Sequence, residues 1–407
     1  MYLVLSKRFE ISVSYRYFHP DWTEDKNRAV FGRQAGGEHG FGGNFTVYFV
    51  FHGPVDTRTG MIINVTVVKD RIGRLLAERY DHKFLNRDTC PFEATIPTPE
   101  NLSRQLLDDA QRLFDDQSAE PVACHLHISP FTSATAYAGD RVERHHRLEF
   151  AAARMTRSPH LSDDENRHLF GIAASPSGHG HFYRLRVTLA GDVDGDHGMI
   201  VPDVECERAL QSLHALLDHR NLSTDVAELK GMPMTTECLA RFMYQRLSSA
   251  LPVDRVRLWE NPYFYAEYHH DGRQVMGLET AFHAAHRLHR PHLSDDDNRT
   301  VYGKCNNLHG HGHRYRVEGA IAGKVDERSG TLFSLGQFTD GFARALKPWD
   351  YQHLDLDTPD FADRPSTGEN IVQVLWPRLE GAIGLPLHRL RLWETANNRF
   401  TLRREVQ

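Results

Sequence analysis

The chain has 407 residues, 40% hydrophobic and 25% charged, an ordinary soluble globular balance with room for roughly two to four domains. Its net charge of −6 argues against nucleic acid or another general polyanion as partner, although a local basic pocket could still hold a phosphate. No apolar run is long enough to span a membrane, Met1–Ser6 reads as the start of a strand rather than a signal peptide, and the scattered cysteines (Cys90, Cys124, Cys206, Cys238, Cys305), without a CxxC, suit free thiols in a cytoplasmic protein.

Taken in order, the chain repeats one unit three times. Each copy opens on an alternating strand, a polar Asn-Arg loop, an aromatic-Gly step and a Gly/His-rich loop. A second strand, a turn, a helix, an Asp-containing loop, a Thr-x-Glu helix start and a final strand follow. The first copy carries Lys26-Asn27-Arg28, Phe31-Gly32, Gly60-Met61-Ile62, Asp81-His82, Thr98-Pro99-Glu100 and a last strand His125–Ile128. The second carries Glu165-Asn166-Arg167, Phe170-Gly171, His179-Gly180-His181, Gly198-Met199-Ile200, Asp218-His219, Thr235-Thr236-Glu237 and Leu258-Trp259-Glu260. The third carries Asp297-Asn298-Arg299, Tyr302-Gly303, the stretch Cys305–Val317, Ser329-Gly330, Asp350-Tyr351, Thr367-Gly368-Glu369 and Leu392-Trp393-Glu394. Short Gly-containing linkers near Ala138–Asp140 and His270–Gly272 divide the units into 1–138, 139–271 and 272–407.

Each unit reads as α+β, with helices on one face of an antiparallel sheet. Between Glu205 and Leu217, Ala209, Leu210, Leu213, Leu216 and Leu217 recur at helical spacing. In Thr-x-Glu the hydroxyl and carboxylate stand in a first helical turn and stabilise its N-terminus, a structural role open to Glu100, Glu237 and Glu369.

The third unit concentrates the chemistry. His311 and His313 lie two apart on a strand, so both imidazoles point the same way. Phe282-His283-Ala284-Ala285-His286 upstream supplies a third, enough for a metal site that keeps one position open. Cys305 stands a few residues away.

Together the Phe-x-x-x-His-Arg-Leu strand, Tyr302-Gly-Lys-Cys-Asn-Asn with His-Gly-His, the Asp-His loop, Pro-Thr-x-Glu-Asn and Trp393-Glu394-Thr395 resemble the 6-pyruvoyl-tetrahydropterin synthases and the related 6-carboxy-tetrahydropterin synthases of 7-deazaguanine (queuosine) biosynthesis. The resemblance implies the tunnelling fold (T-fold), a four-stranded antiparallel sheet with two helices on one face. Three such units on one chain would close into a pseudo-trimeric barrel, and two chains would pair as a homodimer.

By the same resemblance His286, His311 and His313 hold Zn2+, Cys305 is the general base, and Glu394 anchors a pterin beside Thr367 and Glu369. Glu260 takes the place of Glu394 in the second unit. The spacing from Cys305 to His311 matches the pyruvoyl type; His309 with His311 would give the carboxy type. The first-strand His position reads Ala153 in the second unit and Tyr15 in the first, and the Cys position reads Ala173 and Gln34 or Ala35. The third unit keeps Asp350 of the Asp-His pair but has Tyr351 in place of the catalytic His, with His353 nearby. Asp81-His82 and Asp218-His219 are intact. The expectation is one composite site per chain, with a neighbouring unit supplying Asp and His. The implied substrate is a small dihydropterin triphosphate and the implied pathway that of tetrahydrobiopterin. A pterin- or purine-binding scaffold without activity is the reading from a different class.

Overall fold

The alternation at the head of each repeat becomes a long strand in the computed structural model, which describes residues 1–404. In the first repeat β1 (Tyr2–Tyr15) pairs antiparallel with β2 (Phe41–His52), and β3 (Lys83–Phe84), β4 (Glu120–His127) and β5 (Thr132–Tyr137) follow. The second repeat has β6 (Val142–Arg154), β7 (His179–Ala190), β8 (Arg220–Asn221), β9 (Val253–Trp259) and β10 (Phe264–His269). The third has β11 (Gln274–His286), β12 (His311–Gly323), β13 (Gln352–His353), β14 (Arg389–Thr395) and β15 (Asn398–Arg403).

Four antiparallel strands of each repeat join one wall, in the order β10-β9-β7-β6-β5-β4-β2-β1-β15-β14-β12-β11, and β10 pairs with β11 to close the ring. The two-residue strands β3, β8 and β13 lie parallel beside the first strand of their own repeat. The last seam joins the two ends of the chain, with Tyr2 opposite Arg403 and Lys7 opposite Asn398. Closure pairs the strand edges that an isolated repeat would expose. The expected linkers are instead tight hairpins between neighbouring barrel strands. Gly139 (φ 86°), Asp140 (φ 67°) and Gly272 (φ 80°) take the left-handed conformations such turns require.

Each repeat lays two long helices on the outer face: Val65–Arg79 and Pro99–Leu113, Asp203–Leu217 and Thr236–Ser248, Leu335–Leu346 and Gly368–Ile383. Val68, Ile72 and Leu76 recur at four-residue spacing and are fully buried or nearly so. Thr98, Thr235 and Thr367 cap the second helix of their repeats, each hydroxyl accepting an N–H three residues on. One contiguous apolar cluster runs through the first and third repeats and takes in Val142, Met199 and Phe264 of the second, whose remaining core forms a separate cluster.

The polar Asn-Arg loops are in fact short helices: Glu24–Phe31, Asp163–Phe170 and Asp295–Tyr302. Each starts on a Thr or Ser cap followed by acidic residues, a strong N-terminal signal for so short a helix. Their asparagines point inward, and Asn298 is fully buried. Its amide donates to the carbonyls of Arg290, Leu293 and Ser294 and accepts from the Arg290 N–H.

The repeats clasp one another in a cycle. Thr98 Oγ1 donates to the Gly198 carbonyl, Thr235 Oγ1 to that of Gly330, and Thr367 Oγ1 to that of Gly60. Beside each, a buried carboxylate accepts a backbone N–H: Glu100 from Ile200, Glu237 from Leu332, Glu369 from Ile62. Each Thr-x-Glu thus starts its own helix and grips the turn of the next repeat. Among the described residues, no helix is long and apolar enough to cross a membrane.

Candidate active site

β11 ends on His286 and β12 begins on His311, directly opposite it, while His313 faces Ala284. Period-two geometry brings all three imidazoles to one face, with ring centroids 4.5, 4.9 and 5.1 Å apart. His286 Nε2 approaches His311 Nε2 at 3.1 Å. His286 Nδ1 lies 3.1 Å from the Ser366 carbonyl, which accepts its proton and leaves Nε2 as the inward lone pair. His311 Nδ1 and His313 Nε2 are buried without a hydrogen-bond partner. Burial first, then the neighbouring imidazoles, push His311 down to about 4, and burial also lowers His313. Three imidazoles, one nitrogen of each within 4.8 Å of the others, fit a metal ion better than they fit each other. His309 is exposed on the preceding loop and stands outside this group.

Cys305 is half-buried in the turn Gly303–Asn306, and its carbonyl accepts from Leu288 N at 3.0 Å, just past the end of β11. Burial and then the Glu394 charge raise its thiol, while Lys304 opposes them. Glu394, near the end of β14, comes within 3.8 Å of His286 Nε2 and accepts from Asn398 at 3.2 Å. Thr367 and Glu369 are engaged in the clasp on the first repeat. Burial raises the Glu369 carboxyl to about 7, with the Glu394 charge adding to it.

The seam beside this cluster is shared with the first repeat. Tyr302 Oη donates to the Thr59 carbonyl at 2.9 Å, Asn64 Nδ2 to that of Val301 at 2.8 Å, and Lys7 Nζ to Asn398 Oδ1 at 2.8 Å.

The Asp-His loops occupy equivalent positions in all three repeats. Asp81, Asp218 and Asp350 each accept a backbone N–H from the first strand of their own repeat, at Ser12, Ala151 and His283. The next residue has a positive φ each time: 57° at His82, 55° at His219, 59° at Tyr351. For side chains this large such a conformation is strained, and it turns each of them outward. His82 and His219 are 80% and 82% exposed, each bonded to the preceding Asp. Tyr351 stacks on His283. β1 and β6 each stand four places from β11 in the wall, about 19 Å at ~4.8 Å per strand. His353 packs beneath Gly310 rather than in the outward position.

The second repeat corrects the sequence reading by one residue. Arg154, not Ala153, pairs with His179 as His286 pairs with His311. The Arg154 guanidinium is buried and donates to Glu260 and Thr236. Burial is the largest influence on the Glu260 carboxyl and would raise it, but the Arg154 charge, the Thr236 hydroxyl and the two histidines together hold it below its ordinary value. His179, His181 and Glu260 form a second group of metal-type donors, with this arginine bound to its carboxylate. The three consecutive alanines before Arg154 hid the register, which only the strand pairing reveals. Tyr15 takes the equivalent position in the first repeat, opposite Phe41. Gln34 rather than Ala35 answers to Cys305, since its carbonyl accepts from Tyr17 N as that of Cys305 does from Leu288 N.

A family model described as 6-pyruvoyl tetrahydropterin synthase matches this chain over residues 4–138, 144–271 and 276–405. A 6-pyruvoyl tetrahydrobiopterin synthase of Drosophila melanogaster is 38% identical over 125 residues, 30% of this chain and 74% of the relative. That of Poecilia reticulata is 40% identical over 127 residues, covering 31% and 86%. That of Homo sapiens is 38% identical over 120 residues, covering 29% and 83%. The solved 6-pyruvoyl tetrahydropterin synthase of Caenorhabditis elegans aligns with a TM-score of 0.32 and 34% identity, over 33% of this chain and 96% of that one.

Proposed function

The chain belongs to the 6-pyruvoyl tetrahydropterin synthase family, as three tandem copies, and is a lyase of that type; we propose that it works through one site, at the seam between its third and first repeats. The units are taken as 1–138, 139–271 and 272–407. The observation that carries the reading is the three-imidazole cluster beside Cys305 and Glu394. The equivalent positions hold Arg154 and Ala173 in the second repeat and Tyr15 and Gln34 in the first.

The substrate we propose is 7,8-dihydroneopterin triphosphate. Zn2+, held by His286, His311 and His313, would supply Lewis-acid polarisation of the side-chain hydroxyls. Cys305 takes the proton from the carbon next to the ring, which requires its thiol to ionise beside a cation. The carbon–oxygen bond to the triphosphate breaks with its electron pair on the leaving group. The two hydroxyl-bearing carbons finish as ketones and the dihydropterin ring as a tetrahydropterin, so no external oxidant or reductant is needed. Glu394 accepts hydrogen bonds from the pterin's amino and ring N–H groups, with Thr367 and Glu369 behind it.

Proton return is assigned to an Asp-His pair, Asp81-His82 or Asp218-His219, with the Asp fixing the imidazole tautomer. Both rings face solvent, and both pairs sit four strands from β11. We therefore place the donor on a second copy of the chain, in a homodimer of pseudo-trimers. Asp350 remains to hold its own loop. The carboxy-type reaction rests on His309 with His311, and His309 lies outside the cluster.

The test is metal per chain together with turnover of the triphosphate. One zinc per chain, with turnover lost on Cys305→Ala and zinc retained, supports the reading. Zinc without turnover makes the chain a pterin-binding scaffold. Unchanged activity in both His82→Ala and His219→Ala sinks the second-copy proton donor.

A further inference from the structure

The seam between the third and first repeats differs from the other two in its charge. Strand register makes Lys7 of β1 equivalent to His146 of β6 and Leu278 of β11, each four residues before the aromatic or Ile that faces β2, β7 or β12. Counting from the helix caps Asn64, Pro202 and Ser334 makes Lys69 equivalent to Glu207 and Thr339. The residue after the aromatic-Gly step is Arg33, Ile172 or Lys304. Around the clasp cycle the three seams therefore hold Lys304 with Lys7 and Lys69, Arg33 with His146 and Glu207, and Ile172 with Leu278 and Thr339. Among the described residues, three lysines belong only to the seam that also has Cys305, Glu394 and the three histidines.

Hydrogen bonds place the segments that carry them side by side at this seam. Lys7 bonds Asn398, which bonds Glu394, so the ammonium stands two links from the carboxylate. Asn64 caps the helix that carries Lys69 and also donates to Val301, three residues before Lys304. Burial, then the charges of Lys69 and Lys304, hold Lys7 below its ordinary value, with Glu394 opposing them. Like charges gathered on one seam repel, and they are relieved by a polyanion between them.

We propose that Lys7 and Lys69 of the first repeat and Lys304 of the third form an anion subsite that binds the triphosphate of the substrate and stabilises it as the leaving group. The assignment rests on the function proposed above. It gives the first repeat, which lacks metal ligands and the thiol, a direct part in the reaction. The lysines would draw the triphosphate end toward the seam while Glu394 holds the ring end. They would also favour the charge that builds on the bridging oxygen as the carbon–oxygen bond breaks.

The experiment uses the full chain and inorganic tripolyphosphate as probe, with binding followed by calorimetry. Wild type binds it with an affinity that falls as salt rises. Lys7→Ala with Lys69→Ala weakens it by about tenfold or more per lysine, while zinc content and binding of 7,8-dihydroneopterin without phosphate stay as in wild type. Lys7→Arg with Lys69→Arg restores most of the binding, which a merely structural role at Asn398 would not predict. Equal tripolyphosphate binding by wild type and the double Ala variant overturns the subsite, as does its absence from wild type. The two readings fail separately. Turnover that ignores the lysines overturns the subsite and keeps the proposed reaction; lysine-dependent tripolyphosphate binding without turnover keeps the anion subsite and overturns the reaction proposed for this site.

Discussion

Arg154 and His286 hold the same position in successive repeats, the last residue of the first strand, opposite His179 and His311 respectively. One is a guanidinium bound to Glu260 and the other an imidazole 3.8 Å from Glu394. The second repeat thus keeps two histidines and a carboxylate but spends its carboxylate on an internal cation. Arg154→His places a third imidazole beside His179 and His181 and frees Glu260. Metal bound per chain should rise from one to two by elemental analysis. A ratio still at one would mean that the loss of the site goes beyond this residue. Arg154→Ala should instead leave Glu260 buried and uncompensated, and destabilise the chain by about 3–5 kcal/mol.

The seam between the first and second repeats is filled in another way. Arg144 of β6 is fully buried and bonds Glu100 of the first repeat at 2.8 Å and Asp203 of the second at 2.7 Å. A buried ion triad adds little over an apolar core, but removing one member strands the others. Arg144→Met should cost about 3–5 kcal/mol in urea unfolding. Adding Glu100→Gln and Asp203→Asn should recover part of that loss. A single variant as stable as wild type would show that water already reaches the triad.

Much of this was legible because the chain carries its own comparison. The strands, the caps Thr98, Thr235 and Thr367, and the shared face of His311 and His313 follow from periodicity and spacing, while the choice of His286 over His283 rests on the family resemblance. The misreading of Ala153 for Arg154 has a physical cause: Ala151, Ala152 and Ala153 carry no information about which face points inward. The Asn27, Asn166 and Asn298 helices were hidden because eight residues with one inward-facing amide look like polar loop. The clasp of Thr367 on Gly60 links residues 307 apart, and no local pattern announces it. The same holds for Lys7, an ordinary strand lysine until β1 closes on β15.

Glu369 carries a pH dependence whose sign can be worked out. Its carboxyl is raised to about 7 in the fold, mainly by burial, from an ordinary value of 4.5. The folded state therefore holds its proton more tightly than the unfolded chain. The associated stability is complete below about pH 4.5 and is lost as pH rises through 7, by on the order of 3 kcal/mol. Glu369→Gln keeps an acceptor for the Ile62 N–H without the ionisation. The variant should match wild type near pH 4.5 and be the more stable protein above pH 7, in melting temperature measured across that range. A difference independent of pH would show that Glu369 ionises freely.

Asn298 separates scaffold from site. Asn27 and Asn166 repeat its contacts, each amide donating to three carbonyls and accepting one N–H in its own repeat. Replacing any of the three by Ala strips the same backbone groups of their partner, at about 1–3 kcal/mol of stability. Asn298, however, holds the helix that leads through Tyr302 and Gly303 into Cys305. The three Ala variants should lose similar stability, and Asn298→Ala alone should lower kcat, by roughly tenfold or more for a displaced thiol, with metal content kept. Equal kcat in all three would mean that the Cys305 turn is held by its contact with Leu288 and by the seam with Thr59 and Asn64 rather than by this helix.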